Sequence, residues 1–145
     1  MPMSAGRVSW FIIGACIVLG ALTDNGAAAS AGCLSYASPV YVTGRLLRIV
    51  FPGPPNYDSV AGGDKPEPYF VLHLDRPVCV AEDPTDSEKP AMARVTDMQL
   101  MLQPAQYKQL RSRLGRQIRL SGVLVAAHTG HHHTPVMLGN VRLGG

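Results

Sequence analysis

The sequence predicts a mainly-β protein, a small five-stranded barrel with one helix between strands 3 and 4; an irregular β-sandwich is the alternative architecture. Three observations carry this. The chain has 145 residues, enough for one hydrophobic core and short of two. Its 15 glycines and 12 prolines cut it into short runs, which argues against long helices and heptad coiled coils. The runs between those breaks alternate apolar and polar side chains and are rich in β-branched residues, the period-2 mark of half-buried strands.

Taken in order, residues 39–50 (PVYVTGRLLRIV) read as a first strand, with Gly44 at a bulge or sharp bend. Residues 51–68 hold Pro52, Pro54, Pro55, Pro66 and Pro68 and are read as one long loop. Residues 69–74 (YFVLHL) form a second strand, Asp75-Arg76-Pro77 turns the chain, and residues 78–80 form a short third one. Residues 82–90 are an acidic loop, and residues 95–103 are extended again. Pro104 suits a first helical position. Tyr107, Leu110 and Leu114 then share one helical face over residues 105–114, and Gly115 suits the helix end. Residues 116–127 and 135–143 make a terminal hairpin.

Two strands echo each other: Val42-Thr43-Gly44-Arg45-Leu46 and Leu120-Ser121-Gly122-Val123-Leu124 both set a glycine after a small hydroxyl residue. Glycines at matching places suit strands that bend sharply to close a small barrel. Strands, one helix, then a terminal hairpin is the order of the oligonucleotide/oligosaccharide-binding barrel, the OB-fold.

Residues 1–31 carry the three parts of a secretory signal: Arg7, the uncharged run 10–22, and the small residues Ala27 to Ala31. The run is shorter than the roughly 20 residues that span a bilayer, so the membrane enters only through export. The predicted mature domain is residues 32–145, placed in the periplasm of a Gram-negative bacterium or secreted. Cys16 leaves with the signal. Cys33 and Cys79 remain as an even pair in an oxidising compartment, and a bridge between them is predicted. It would close a loop of ~46 residues, worth on the order of 4 kcal/mol in the chain-entropy model.

Four of the five histidines fall at His128, His131, His132 and His133, on the predicted turn between the last two strands. If Thr129-Gly130 is a two-residue hairpin loop, His128 faces His131 across the ladder and His133 shares their face. His128, His131 and His133 then form a three-nitrogen cluster suited to zinc, with water, His73 or Asp75 as fourth ligand. A turn that merely hydrogen-bonds through its rings, or one that contacts an organic ligand or protein, reads equally from the same residues. Asn56 and Tyr57, in the proline-rich loop, are the further candidate ligand-binding residues.

Other chemistry is absent from the pattern. No nucleotide-binding glycine loop, hydrolase serine elbow or zinc-enzyme signature occurs, so no catalytic residue is assigned. A net charge of +3 is too small to indicate a nucleic-acid partner, and export argues against one.

Three strings point beyond composition: Phe51-Pro52-Gly53-Pro54-Pro55-Asn56-Tyr57, residues 69–79, and His128-Thr129-Gly130-His131-His132-His133-Thr134-Pro135-Val136. Together they resemble the exported bacterial family catalogued as domain of unknown function 4431, from about Tyr41 to Leu143. The resemblance implies a periplasmic small β domain and supplies no activity. The expectation is a non-enzymatic envelope binding module that uses the 51–68 loop and the 128–135 hairpin toward an unknown envelope ligand or protein. A zinc-dependent hydrolase on the three histidines, with Asp75 or Asp58 as base, is one alternative; an inhibitor or structural partner of an envelope protein is another.

Overall fold

The computed structural model describes residues 32–144; the predicted signal segment and Gly145 lie outside the described residues. The elements are β1 (Val40–Pro52), β2 (Pro66–Val80), β3 (Met92–Leu100), α1 (Pro104–Arg111), β4 (Gln117–Ala126) and β5 (Val136–Leu143). The five strands close into a barrel in the order β1-β2-β3-β5-β4, with the helix between β3 and β4, as the sequence predicts. Every neighbouring pair is antiparallel except β3–β5, which is parallel and short, Gln99 opposite Met137 and Leu100 opposite Leu138.

The two echoed glycines sit where the barrel bends. Gly44 pairs with Leu74 on β2 and Ile118 on β4, and a Cβ there would overlap the His73 carbonyl oxygen. Gly122 lies at the register shift between β4 and β5, where a Cβ would overlap the Gly139 carbonyl oxygen. Both strands therefore need a residue without a side chain to let a neighbouring backbone pass.

Three sequence-based boundaries are corrected. Residues 69–74 and 78–80 belong to one long strand, β2, and Asp75-Arg76-Pro77 is not a turn. Pro77 falls in the register shift between His73 and Val78, where no ladder bond to β3 is asked of it. The 51–68 loop is also shorter than read, because Pro52, Pro66 and Pro68 lie within strands. The Lys65 N–H donates to Pro54 on the β1 side, so in the alternating backbone Pro66 and Pro68 turn their nitrogens the other way. β3 begins pairing only at Val71, so their missing N–H groups cost no ladder bond. The helix, too, ends at Arg111, and Gly115 takes a positive φ four residues later.

Leu46, Leu72, Met98, Leu100, Leu120 and Leu138 fill the barrel, and Leu110 of α1 joins them. The Cys33–Cys79 bridge is formed. It ties the start of the described chain to the end of β2, beside the Leu34–Val80 bridge. No helix among the described residues is long and apolar enough to cross a membrane.

A second buried layer lies outside the barrel. Val71, Gln99 and Met137 are adjacent in register on β2, β3 and β5. All three are buried, but they face away from the leucines of the core, because their strand neighbours Leu72, Met98, Leu100 and Leu138 point inward. The segment between β4 and β5 covers this outer row.

Candidate functional site

The 127–135 segment is not a two-residue hairpin. It is a loop of nine residues closed at its base by the Ala127 N–H on the Pro135 carbonyl. Gln99 clamps it down on the outer face. Its amide nitrogen donates to the His131 carbonyl at 2.9 Å, and its amide oxygen accepts the His133 N–H at 2.8 Å. The Gln99 backbone N–H donates to Thr134 Oγ1 at 2.9 Å, and that hydroxyl donates to the Val136 carbonyl. The clamp satisfies loop backbone groups that would otherwise be buried unpaired.

The loop between β1 and β2 has its own anchor. Asp64 is buried, and its carboxylate accepts the N–H groups of Asn56, Asp58 and Ser59 at 2.8–2.9 Å. Those bonds, Ser59 first, hold its carboxyl below the usual carboxylate range. Tyr57 stands at the loop tip with φ +59°, a conformation uncommon for a bulky side chain. Its ring lies against Gly130, where a Cβ would come within 2.9 Å, and its hydroxyl is 3.3 Å from His131 Nε2. The two loops named from the sequence therefore meet.

Glu67 joins them to β2. Its carboxylate lies 2.8 Å from His131 Nδ1 and 3.4 Å from His133 Nε2, and the Tyr69 hydroxyl is 3.4 Å from the same group. A carboxylate accepts, so His131 carries its proton on Nδ1 and offers Nε2 as an acceptor to Tyr57. The Glu67 carboxyl is held below its ordinary range, by the His131 hydrogen bond first, against the opposing effect of burial, with His133 assisting. His133 stacks flat on Phe51, centroids 4.3 Å apart, and lies 5.5 Å from the Tyr69 ring.

This geometry corrects the three-histidine cluster. His128 does not face His131 and His133. Its N–H donates to His132 Nδ1 at 3.1 Å and its ring donates to the Ala126 carbonyl; it lines a separate cleft with Asp86 and Glu88. Burial first, and the His128 ring second, push the His132 pKa below its ordinary value. Among the described residues no group of three or more His, Cys, Asp or Glu side chains is placed to hold a metal ion. The zinc site was built on a tight turn, and the nine-residue loop splits it. Neither His73 nor Asp75 is drawn in: His73 pairs with Asp97 at 2.8 Å, and Asp75 accepts from Gln117 at 2.6 Å. Asn56 is exposed and serves the Asp64 knot through its backbone, while its neighbour Tyr57 reaches the histidines.

Two clefts flank the Glu67–His131–His133 bridge. One, of about 350 Å³, has Ile49, Phe51, Val71 and Val95 as apolar lining, with Arg94, Asp97 and His133 as polar groups. The other, of about 280 Å³, is lined by Tyr69, Tyr107, Gln103, Met101, His131 and His132 among others. Glu67, Gln99, Phe51 and Tyr69 are the site residues that sequence reasoning missed. The available signal was strand alternation: with Met98 and Leu100 inward, Gln99 points outward beside the histidine loop. Phe70, in contrast, is core.

Residues 97–142, from the end of β3 through β5, match the family model described as Domain of unknown function (DUF4431). The resemblance read from the sequence thus holds over the segment that carries Gln99 and the histidine loop, and the match does not extend to residues 51–79. No curated protein and no solved structure matches the chain.

Proposed function

We propose that this chain is a binding module of the cell envelope, periplasmic or secreted, whose ligand lies on the outer β2–β3 face between the 53–65 and 127–135 loops. The observation that carries the reading is the pair of clefts on either side of one preassembled His–Glu–His bridge. Both loops are fixed by buried anchors, Asp64 and Gln99, so binding asks for little further ordering. Barrels of this type take ligands on this face and between these two loops, and an apolar cleft with a few convergent polar groups is the usual form of a ligand site. The disulfide fits an oxidising compartment.

The His131 ring, with Glu67 on Nδ1 and the Tyr57 hydroxyl on Nε2, is held in a fixed orientation at the wall of the second cleft. Phe51, Tyr69 and Tyr107 add aromatic surface on which a sugar ring or an apolar peptide side chain can pack. No second reading has an observation of its own: the hydrolase relied on the histidine set that the loop separates, and nothing specific favours an inhibitor.

The test is a titration of envelope fragments, muropeptides and short extended peptides, against the isotopically labelled chain. Amide shifts clustered at Phe51, Tyr69, Asp97, His131 and His133, and abolished by Phe51→Ala, support the reading. Saturable binding whose shifts avoid both clefts would overturn it.

A further inference from the structure

Charge in this chain is segregated by strand. All nine Asp and Glu residues of the described structure fall within residues 58–97, beside four Lys and Arg. Residues 33–57 and 98–144 hold eight Lys and Arg and no acidic residue. The barrel order brings those two stretches together, because β1 neighbours β4 and β4 neighbours β5. Arg45 and Arg48 lie on β1, Arg119 on β4 and Arg142 on β5, with four more cations on α1 and just after it. Among the described residues none of these eight is in an ion pair; the pairs present use histidines and Lys89.

On this side the registers place Tyr41 opposite Ser121 and Ser121 opposite Arg142, in one row across three strands. Tyr41 is 64% exposed. The Arg119 guanidinium stands 5.2 Å from its ring centroid, a cation–π distance that fixes both groups. A cleft of about 380 Å³ opens beside them, lined by Pro39, Tyr41, Ser121, Val123, Asn140 and Arg142 with Gly122, and no carboxylate lines it. Asp75 lines the cleft on the other side of Tyr41 and is engaged by Gln117.

We propose that the β1–β4–β5 face is a second binding surface, for an acidic polysaccharide. Unpaired guanidinium groups around an exposed aromatic ring and a hydroxyl are the pieces such a ligand needs. Carboxylates of the glycan take the planar arginine fork, the sugar's apolar face packs against Tyr41, and the field of the cationic half draws in the polyanion. A cleft of this volume is within the range of small-ligand sites. The surface is separate from the loop face, so either reading can fail alone.

The test uses the full chain with its disulfide formed, isotopically labelled. It is titrated with a hexamer of galacturonic acid, with a neutral hexamer of glucose, and with vesicles containing half phosphatidylglycerol. The galacturonate hexamer shifts the amides of Tyr41, Arg119, Ser121, Asn140 and Arg142, and the neutral hexamer does not. Binding weakens by at least about tenfold in half-molar salt, because exposed charges are screened there. The pair Arg119→Gln with Arg142→Gln, exposed positions that leave the core intact, loses the shifts, and so does Tyr41→Ser. Equal response to the neutral hexamer, shifts confined to the 53–65 and 127–135 loops, binding to vesicles without binding to the acidic hexamer, or no response to any of the three would each overturn the proposal.

Discussion

Replacing Gln99 by leucine tests whether the histidine loop is built by one buried amide. The side chain makes two hydrogen bonds to loop backbone, at 2.9 Å to the His131 carbonyl and 2.8 Å from the His133 N–H. Leucine has nearly the same volume, so packing between Val71 and Met137 is preserved and the loss is electrostatic. At about 1–1.5 kcal/mol per bond, the loop loses roughly 2–3 kcal/mol of local stability. That corresponds to about 30- to 150-fold faster opening in equilibrium terms. Amide hydrogen exchange is the assay, since it reads local opening separately from global unfolding. The His133 amide, which donates to Gln99, is expected to exchange faster by that factor, with Ala127 at the loop base following. The β1 amides paired with β4 are expected to change much less. Unchanged exchange at His133, with the folded state confirmed by the β1 amides, would refute the assignment of Gln99 as the clamp.

Three more predictions follow from particular contacts. A Cβ added at Gly53 would lie 2.6 Å from Glu67 Cγ and Cδ; Gly53→Ala should cost about 1–3 kcal/mol in denaturant unfolding and release His131 from its carboxylate, whereas wild-type ring-nitrogen shifts in that variant would contradict the packing. Acidification should weaken the fold in two stages. The His132 pKa is lowered, so its contribution is complete above the ordinary imidazole value of 6.5 and declines as pH falls below it. The Glu67 pKa is lowered too, so its contribution holds above the ordinary carboxylate range and is lost as pH falls through the folded value; in a pH series of unfolding midpoints, His132→Gln should remove the first stage and Glu67→Gln should shrink the second, to which the Asp64 carboxyl also contributes. Replacing both Cys33 and Cys79 by serine should destabilise the domain by on the order of 4 kcal/mol, read as a drop in denaturant midpoint, and an unchanged midpoint would dismiss the bridge as a stabilising link.

Two strands were legible because their burial alternates, β1 from Val40 to Leu46 and β4 throughout; β2, β3 and β5 carry runs buried on both faces. The paired glycines were legible as well, since only backbone passing backbone explains glycine at both Gly44 and Gly122. The prolines misled. Pro66, Pro68 and Pro77 were read as breaks, yet each falls where β2 has no ladder bond to lose, and no local pattern reveals which flank of a strand is free. Tyr57 and the histidine segment stand out separately in the sequence, but nothing local shows that the two loops touch. What the loop does on the surface was not legible. The tight-turn reading used only residues 128–133, whereas the conformation is set by Gln99 on β3 and Glu67 on β2, partners 32 and 64 positions from His131. Local spacing allowed a metal cluster or a turn that hydrogen-bonds through its rings, and long-range hydrogen bonds set a carboxylate bridge in place of the cluster.

That bridge joins both loops to β2, and the ring-nitrogen resonances of the histidines report on it directly. In the nitrogen–proton correlation spectrum of the wild-type chain, His131 should appear as the Nδ1-protonated tautomer. Glu67→Gln should move the His131 and His133 ring resonances while leaving His128 in place. Joint movement of His128, His131 and His133 on adding zinc, with no response of any of them to Glu67→Gln, would restore the three-histidine cluster and contradict the site described above.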